Sequence, residues 1–283
     1  MTGADLHTHS TASDGTYAPA DVVRLAAEAG LHTIALTDHD TLHGVAAAER
    51  QGAVAGVRVI SGAEFSVGAP WGEMHLLGYF LPEANPRLAA FLAGQREARA
   101  ERMREVVRRL QKVGVALSLE AVHREAGGDA LGRPHAARAL VRGKHVEGIG
   151  AAFDRYLGRG RPAFVPKQLP GLEAVTALVS EVGGVTSAAH LKGRGTRPVL
   201  ERLRASGVDA VEVRHPAHDV ERAASLDRLA VDLGLLRSGG TDWHGEDEAD
   251  EGGRAHLGAI TVPTEWVAAL ETLHRRRTQR EVT

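Results

Sequence analysis

Apolar positions along this chain recur at two periods, and the switch between them outlines the fold. Up to about residue 80, short apolar runs alternate with amphipathic stretches, which is the rhythm of βα units. Ala4 to His7 reads as a first strand, and Pro19 opens a helix through Ala29 with Gly30 as its stop. Thr33 to Leu36 is a second strand, Gly44 to Ala55 a second helix, Val57 to Phe65 a third strand and Met74 to Phe80 a fourth. Between about Pro86 and Pro166 the pattern changes to consecutive helices. The longest, Arg87 to Lys112, spaces Leu88, Phe91, Leu92, Met103, Val106, Val107 and Leu110 along one helical face. Ser118 caps a helix through Glu125, Pro134 begins one through Val141, and Ile149 to Leu157 forms another. After Pro170 the βα rhythm resumes with a helix over Leu172 to Val182 and strands at Val185 to Ala189, Ala210 to Val213 and Leu235 to Ser238.

This pattern predicts an α/β protein, a distorted (β/α) barrel over residues 1–85 and 167–283, with a helical subdomain inserted at 86–166. A doubly wound open sheet is the architectural alternative. A barrel of parallel strands carries its chemistry at the strands' C-terminal ends, and His7, His39, Glu64, His190, Glu212 and Asp242 fall there.

Composition narrows the chemistry. The 283 residues hold 15 His against 5 Phe and no Cys, so thiolate metal sites, disulfides and cysteine nucleophiles are excluded. Any metal must be held by imidazole, carboxylate and water, a set that suits Zn, Mn or Fe. A net charge of −2 gives no polycationic character for tight duplex DNA binding. The 30 Arg against 4 Lys read as coding bias, and Arg275-Arg276-Arg277 is expected to be the solvated end of a last helix. No basic-then-apolar leader opens the chain and no run approaches the ~18 apolar residues of a membrane span, so a cytoplasmic location is expected.

Three motifs carry the candidate chemistry: Asp5-Leu6-His7-Thr8-His9, Thr37-Asp38-His39-Asp40 and Thr241-Asp242-Trp243-His244. In a strand, residues i and i+2 face one side, so His7 with His9, and Asp242 with His244, can grip one ion. Each motif alone is a weak signal. Together the three point to a multinuclear metal hydrolase.

The ordered pieces DLHTHSTASDGT at Asp5 to Thr16, ALTDHDT at Ala35 to Thr41, GAEFS at Gly62 to Ser66, GEMHLLGYF at Gly72 to Phe80, AAH ending at His190 and GGTDWHG at Gly239 to Gly245 resemble the PHP (polymerase and histidinol phosphatase) family of metal-dependent phosphoesterases. GRPHAARAL at Gly132 to Leu140 and RYLGRGRPAFVPK at Arg155 to Lys167 narrow the likeness to members that hydrolyse nucleoside 3′,5′-bisphosphates and trim short RNA from its 5′ end. The resemblance implies a distorted seven-stranded (β/α) barrel holding two to three divalent ions. By the same resemblance, His7, His9, Glu64 and Asp242 hold one ion, while Glu64, His75 and His190 hold a second. Asp14, His39 and His244 hold the third. Glu64, Asp242 and His190 then form the catalytic set around a water that two ions bridge and deprotonate near neutral pH. This chain departs from the family pattern at Leu191-Lys192, where His-Pro is common, and at Trp243, where Phe is usual.

Asp5, Asp38 and Asp40 stand beside ligand positions, and two readings are open for each: orienting an imidazole, or serving as a helix cap or strand-end turn residue. Arg133, His135 and Lys167 are the expected phosphate contacts, because Arg presents paired donors to an anion and all three sit in matching motifs of the insertion. His215 and His218 follow a strand around Pro216 and are further candidates for substrate contact or proton donation. The expected substrate is small and phosphorylated, a nucleotide or short RNA. Rival readings are a phosphatase for another monoester, such as histidinol phosphate or AMP, and a noncatalytic, metal-stabilised binding module.

Overall fold

A computed structural model describes residues 3–245 and 255–280. Seven strands form one sheet in chain order: β1 (Ala4–Thr8), β2 (Thr33–Leu36), β3 (Arg58–Ala69), β4 (Gly72–Tyr79), β5 (Val185–Ala188), β6 (Ala210–Arg214) and β7 (Leu236–Gly239). The ends of the sheet meet. Thr8 of β1 bridges Trp243 just past β7, and Ala4 bridges Val262. Leu6, Phe65, Leu76, Tyr79 and Val211 belong to the main hydrophobic core that the strands share with the surrounding helices, and the Tyr79 hydroxyl donates to the Leu6 carbonyl at 3.1 Å.

One strand corrects the all-parallel expectation. β4 runs antiparallel to both β3 and β5, the other neighbouring pairs being parallel. β3 continues past Phe65 to Ala69, and a tight hairpin returns as β4, with Ser66 paired to His75. Reversal brings the start of β4 to the barrel end where the other strands finish. His75 therefore joins the residues that follow β1, β2, β5 and β7.

Helices α1 (Pro19–Glu28) and α2 (Val45–Ala55) cover β1 to β3, burying Val22, Val23, Ile34, Ala48 and Trp243 in a second cluster. Pro19 sits in the first turn of α1, where a missing N–H costs nothing. Five helices lie between β4 and β5: α3 (Pro86–Lys112), α4 (Leu119–Arg124), α5 (Arg133–Arg142), α6 (Ile149–Ala152), which runs into a wide turn over Phe153–Leu157, and α7 (Leu172–Glu181). Asn85 caps α3, its side chain accepting from the N–H groups of Arg87 and Leu88 at 3.0 Å each. The first turns of α3 put Leu88 and Leu92 into the barrel core, while its last turns put Met103, Val106, Val107 and Leu110 into a separate helical cluster. One rigid helix thus spans both cores.

Past Pro170 the sequence pattern marks three strands but only one helix, the one that forms α7. The structure adds α8 (Arg197–Ala205) and α9 (Val220–Leu233), which carry the parallel crossovers into β6 and β7. A final helix, α10 (Thr264–Arg280), closes the barrel's far end. Arg277 is no solvated tail residue: it pairs with Asp209 at 2.7 Å and donates to the Gly184 carbonyl, pinning α10 across the bottom of β5 and β6. Among the described residues no helix is long and apolar enough to cross a membrane.

Candidate metal centre

Closure of the barrel brings all nine expected ligands to one end. His7 and His9 leave β1, His39 follows β2, Glu64 lies on β3 and His75 faces it across the hairpin. His190 follows β5, Asp242 and His244 follow β7, and Asp14 reaches in from the loop after β1. Three groups offer donor atoms all within 4.8 Å of one another: His7, His9, Glu64 and Asp242; His9, Asp14, His39 and His244; and His39, Glu64 and His75. The first group coincides with the set expected from resemblance, and the others differ in detail. His39 faces Glu64 with Nδ1 at 3.2 Å and Asp14 with Nε2 at 3.8 Å, so it stands between two groups. His190 approaches Glu64 from the other side, Nε2 to Oε1 at 3.1 Å.

The donor atoms fit divalent cations by a test internal to the fold. Seven buried side-chain polar atoms among the described residues have no hydrogen-bond partner, and five belong to this cluster: His7 Nε2, His9 Nε2, Asp14 Oδ1, His39 Nδ1 and His75 Nδ1. Unpaired buried polar atoms are costly, so five gathered in one cluster fit the lone-pair set that a divalent cation takes. The tautomers agree. His7 gives its Nδ1 proton to Glu212 at 2.9 Å, His75 turns Nε2 to Glu73 at 3.2 Å, and His244 turns Nδ1 to the Asp242 carbonyl at 2.8 Å. Each ring's other nitrogen is thereby left with its lone pair directed inward.

Electrostatics describe the same site from the charge side. Burial alone would push the Glu64 carboxyl up, but His75, His39 and His7 around it hold it well below the usual range. Burial opposes charge on His9 as well, yet its contacts with Asp242 and Glu64 raise it to about 10. His75 rises to about 9 against the same burial, through Glu64 and Glu73. Protons therefore stand in for cations in the metal-free cluster. Backbone strain marks the same positions, because Asp242 has φ 53° and His190 φ 28°, both in the left-handed region. Closure also needs Gly240, where a Cβ would lie 2.5 Å from the His7 nitrogen.

The readings left open for the supporting residues are decided by their contacts. None of Asp5, Asp38 and Asp40 orients an imidazole. Asp5 binds the Thr241 N–H and hydroxyl at 3.0 and 2.6 Å, tying β7's exit to β1. Asp38 accepts from Ser10 and Ser13 and shapes the loop that carries Asp14, and Asp40 pairs with Arg99 of α3 at 2.6 Å. The carboxylate that orients His7 is Glu212, which also accepts from the His190 N–H at 2.6 Å. In the sequence Glu212 falls at a strand end with no motif to give it a role. Its position between Val211 and Val213, an acid alternating with buried valines, is the signal that pointed inward.

The expected substrate contacts divide. Arg133 opens α5, stacks its guanidinium over Phe153 and Phe164, and lines a cleft of about 310 Å³ beside His75 and His190. Lys167 reaches Ser66 at 2.9 Å and pairs with Glu73. His135 is fully buried instead, its Nδ1 accepting from the Gly132 N–H at the start of its own helix, and burial lowers it to about 4. His218 uses both ring nitrogens within the fold, on the Val213 carbonyl and the Lys192 N–H at 3.1 Å each, so it braces the loop after His190 and has no donor left for substrate. His215 does face the cluster. Its Nδ1 accepts from the Ala217 N–H, which leaves the proton on Nε2, 3.5 Å from Asp242 Oδ2. Of the two departures, Leu191 packs into the barrel core, and Trp243 fills the α1–α2 cluster against Tyr17.

Known proteins resemble this chain over most of its length. A 3′,5′-nucleoside bisphosphate phosphatase of Chromobacterium violaceum is 34% identical over 274 residues, covering 93% of this chain and 95% of its own. A 5′-3′ exoribonuclease of Haemophilus influenzae is 32% identical over 245 residues, covering 85% and 89%. Among solved structures, a Bifidobacterium adolescentis protein assigned as a metal-dependent phosphoesterase superposes with a TM-score of 0.87 at 29% identity, over 96% of both chains. The PHP domain family matches residues 5–182, well over half of the chain, and the protein belongs to that family as a metal-dependent phosphoesterase.

Proposed function

We propose that the protein removes a phosphate from a small nucleotide, the 3′-phosphate of a nucleoside 3′,5′-bisphosphate, and trims short 5′-phosphorylated RNA by the same chemistry. The observation that carries this reading is the convergence of partnerless buried donor atoms at the barrel mouth, in a chain 34% identical to a nucleoside bisphosphate phosphatase. His7, His9, Glu64 and Asp242 would hold one divalent ion, Glu64 with His75 and His190 a second, and Asp14, His39 and His244 a third. Mn, Fe and Zn all suit these N and O donors. Such ions, when bound, supply Lewis-acid polarisation of phosphoryl oxygens and lower the pKa of water.

The chain's own residues do the rest. Glu64 lies between donor groups and ties their positions together. Glu212 and Glu73 keep His7 and His75 in one tautomer each. His215 points an Nε2–H to the inner side of the cluster, where it can donate a hydrogen bond to the leaving oxygen while water supplies the proton. Arg133 presents an always-charged fork at the edge of the cleft, suited to an anionic oxygen of the substrate. The helices at 86–166 act in this reading as a cap that selects the leaving group.

Phosphate release by Mn-reconstituted protein tests the proposal, measured in parallel on adenosine 3′,5′-bisphosphate, AMP, histidinol phosphate and a 5′-phosphorylated trinucleotide, with His7→Ala as control. Preference for the bisphosphate or trinucleotide, lost in the control, is expected. Faster turnover of histidinol phosphate or AMP would move the substrate class, and no release from any with metal bound would leave a binding module.

A further inference from the structure

We propose that Arg138 is a positioning residue for the third ion: from the helical insertion it fixes the backbone of Asp14, so that binding of that ion depends on the insertion as well as on the barrel. This rests on the reading above in which Asp14, His39 and His244 hold one ion. Arg138 sits on α5, and both terminal nitrogens of its guanidinium donate to the Asp14 carbonyl, at 3.2 and 3.3 Å. Among the described residues, Asp14 is the only one of the nine ligands with a backbone group hydrogen-bonded to residues 86–166. It also stands six residues past the end of β1, farther from its strand than any other ligand. A loop at that distance takes no direction from the sheet and must be held by what packs on it.

Contacts from the insertion close over this loop. The chain between α4 and α5 lies so near that a Cβ on Gly127 would meet the Thr11 Cβ at 2.4 Å, and one on Gly128 would meet the Ala12 carbonyl oxygen at 2.7 Å. His135, one turn before Arg138 on α5, is buried beside the Ser13 backbone. From the barrel side, Asp38 accepts from the Ser10 N–H and from the Ser10 and Ser13 hydroxyls, at 2.7, 2.6 and 2.6 Å. The loop is thus clamped between barrel and insertion. What the clamp presents is the Asp14 carboxylate, whose buried Oδ1 has no hydrogen-bond partner and lies 3.3 Å from His244 Nε2 and 3.8 Å from His39 Nε2.

Arg138 supplies the directional part of that clamp. The contacts to Asp38 fix Ser10 and Ser13, and the glycines meet Thr11 and Ala12 by shape alone, whereas Arg138 acts on the carbonyl of Asp14 itself. Two donors on one carbonyl restrain its orientation as well as its place, and a charged donor holds it about twice as firmly as a neutral one. Among the described residues no carboxylate pairs with Arg138, so its guanidinium is committed to this contact. Ligand atoms must sit within about 0.2 Å of their bonding distance, so a loosened loop loses the ion before the protein loses its fold.

Calorimetric titration of the metal-free full chain with Mn tests this, comparing the wild type with Arg138→Met, Arg138→Lys and Asp14→Asn, each first checked for a cooperative thermal melt. Asp14→Asn identifies the Mn-binding step that belongs to the third ion. Arg138→Met should weaken that step roughly 10- to 100-fold, the range typical of groups that orient ligands, and leave the other steps within about two-fold. Arg138→Lys, with one ammonium in place of the fork, should weaken it less, and decides the matter alone if the Met variant does not melt cooperatively: a loss of about three-fold or more supports the role. A third step unchanged in the folded variants overturns it. Equal weakening of every step also overturns it, because general loosening spares no ion. If Asp14→Asn leaves the titration unaltered, the three-ion assignment itself fails and the role of Arg138 falls with it.

Discussion

Individual side chains in the cluster are fixed by what holds their second nitrogen or oxygen. His7 is the clearest case: its Nε2 is free because its Nδ1 proton is committed to Glu212, 205 residues away in sequence. Burial alone would raise the Glu212 carboxyl, but His7 and His215 beside it keep it below its ordinary value and therefore charged. Replacing it by Gln keeps the shape and removes the charge that makes His7 a strong donor. Glu212→Gln should weaken Mn binding roughly 10- to 100-fold by calorimetry with little change in far-UV circular dichroism, the range typical of such supporting carboxylates. Unaltered affinity would mean that Glu212 only fills space. The donors themselves were legible in the sequence, since the i, i+2 spacing of His7 with His9 and of Asp242 with His244 is a local signal. Glu212's role was not, because its partner is set by barrel closure and no local pattern encodes that distance. The same reason left Asp5, Asp38 and Asp40 undecided, whose neighbours in sequence are ligands but whose contacts are loop backbone, serine hydroxyls and an arginine.

At the scale of elements, β4 and α3 do most to position the site. Apolar alternation marks a strand but carries no sign of its direction, so the reversal of β4 escapes sequence reading. Its consequence is chemical, because only the reversed strand sets His75 at the ligand end, where Nδ1 comes within 2.7 Å of Glu64. α3 was legible almost to the residue, from Arg87 to Lys112, because its apolar positions at Leu88 to Leu92 and at Met103 to Leu110 keep helical spacing with no breaker strong enough to end the helix between them. The shorter α8 and α9 were not delimited, although Asp219 caps α9 and Gly234 ends it in the left-handed conformation. Two substitutions test what these junctions contribute. Asn85→Ala removes the acceptor for two N–H groups at the start of α3 and should cost about 1 kcal/mol in denaturant melts with kcat preserved. Gly240→Ala should cost more, about 1–3 kcal/mol, and should also lower bound metal, because the added methyl meets the His7 backbone at 2.5 Å and the Asp5 carboxylate at 2.6 Å. A Gly240→Ala protein with full metal content would show that the β7–β1 approach can relax without disturbing the ligands.

For the whole molecule, metal and protons compete for the same nitrogen atoms, and the direction of the competition follows from the shifts. Without metal, the raised values of His9, about 10, and His75, about 9, mean that their protonated forms stabilise the fold. That contribution is complete below the unfolded histidine value of about 6.5 and is lost as pH rises through about 9 and then 10. Divalent ions require the neutral rings, so their contribution runs the opposite way, growing with pH over the same window. At pH 7, loading Mn should release at least two protons, those of His9 and His75 together with any from His7, whose value is raised as well, read from calorimetry in two buffers of different ionisation enthalpy. An ion at a thousand times its dissociation constant stabilises by about 4 kcal/mol, which for a chain of this size raises the melting temperature by roughly 10 °C. The gap between Mn-loaded and chelated melting temperatures should accordingly widen from pH 6 to pH 9. A gap that stays constant across that range would show that the imbibed cations do not displace protons, and would place the ligating nitrogens elsewhere than His9 and His75.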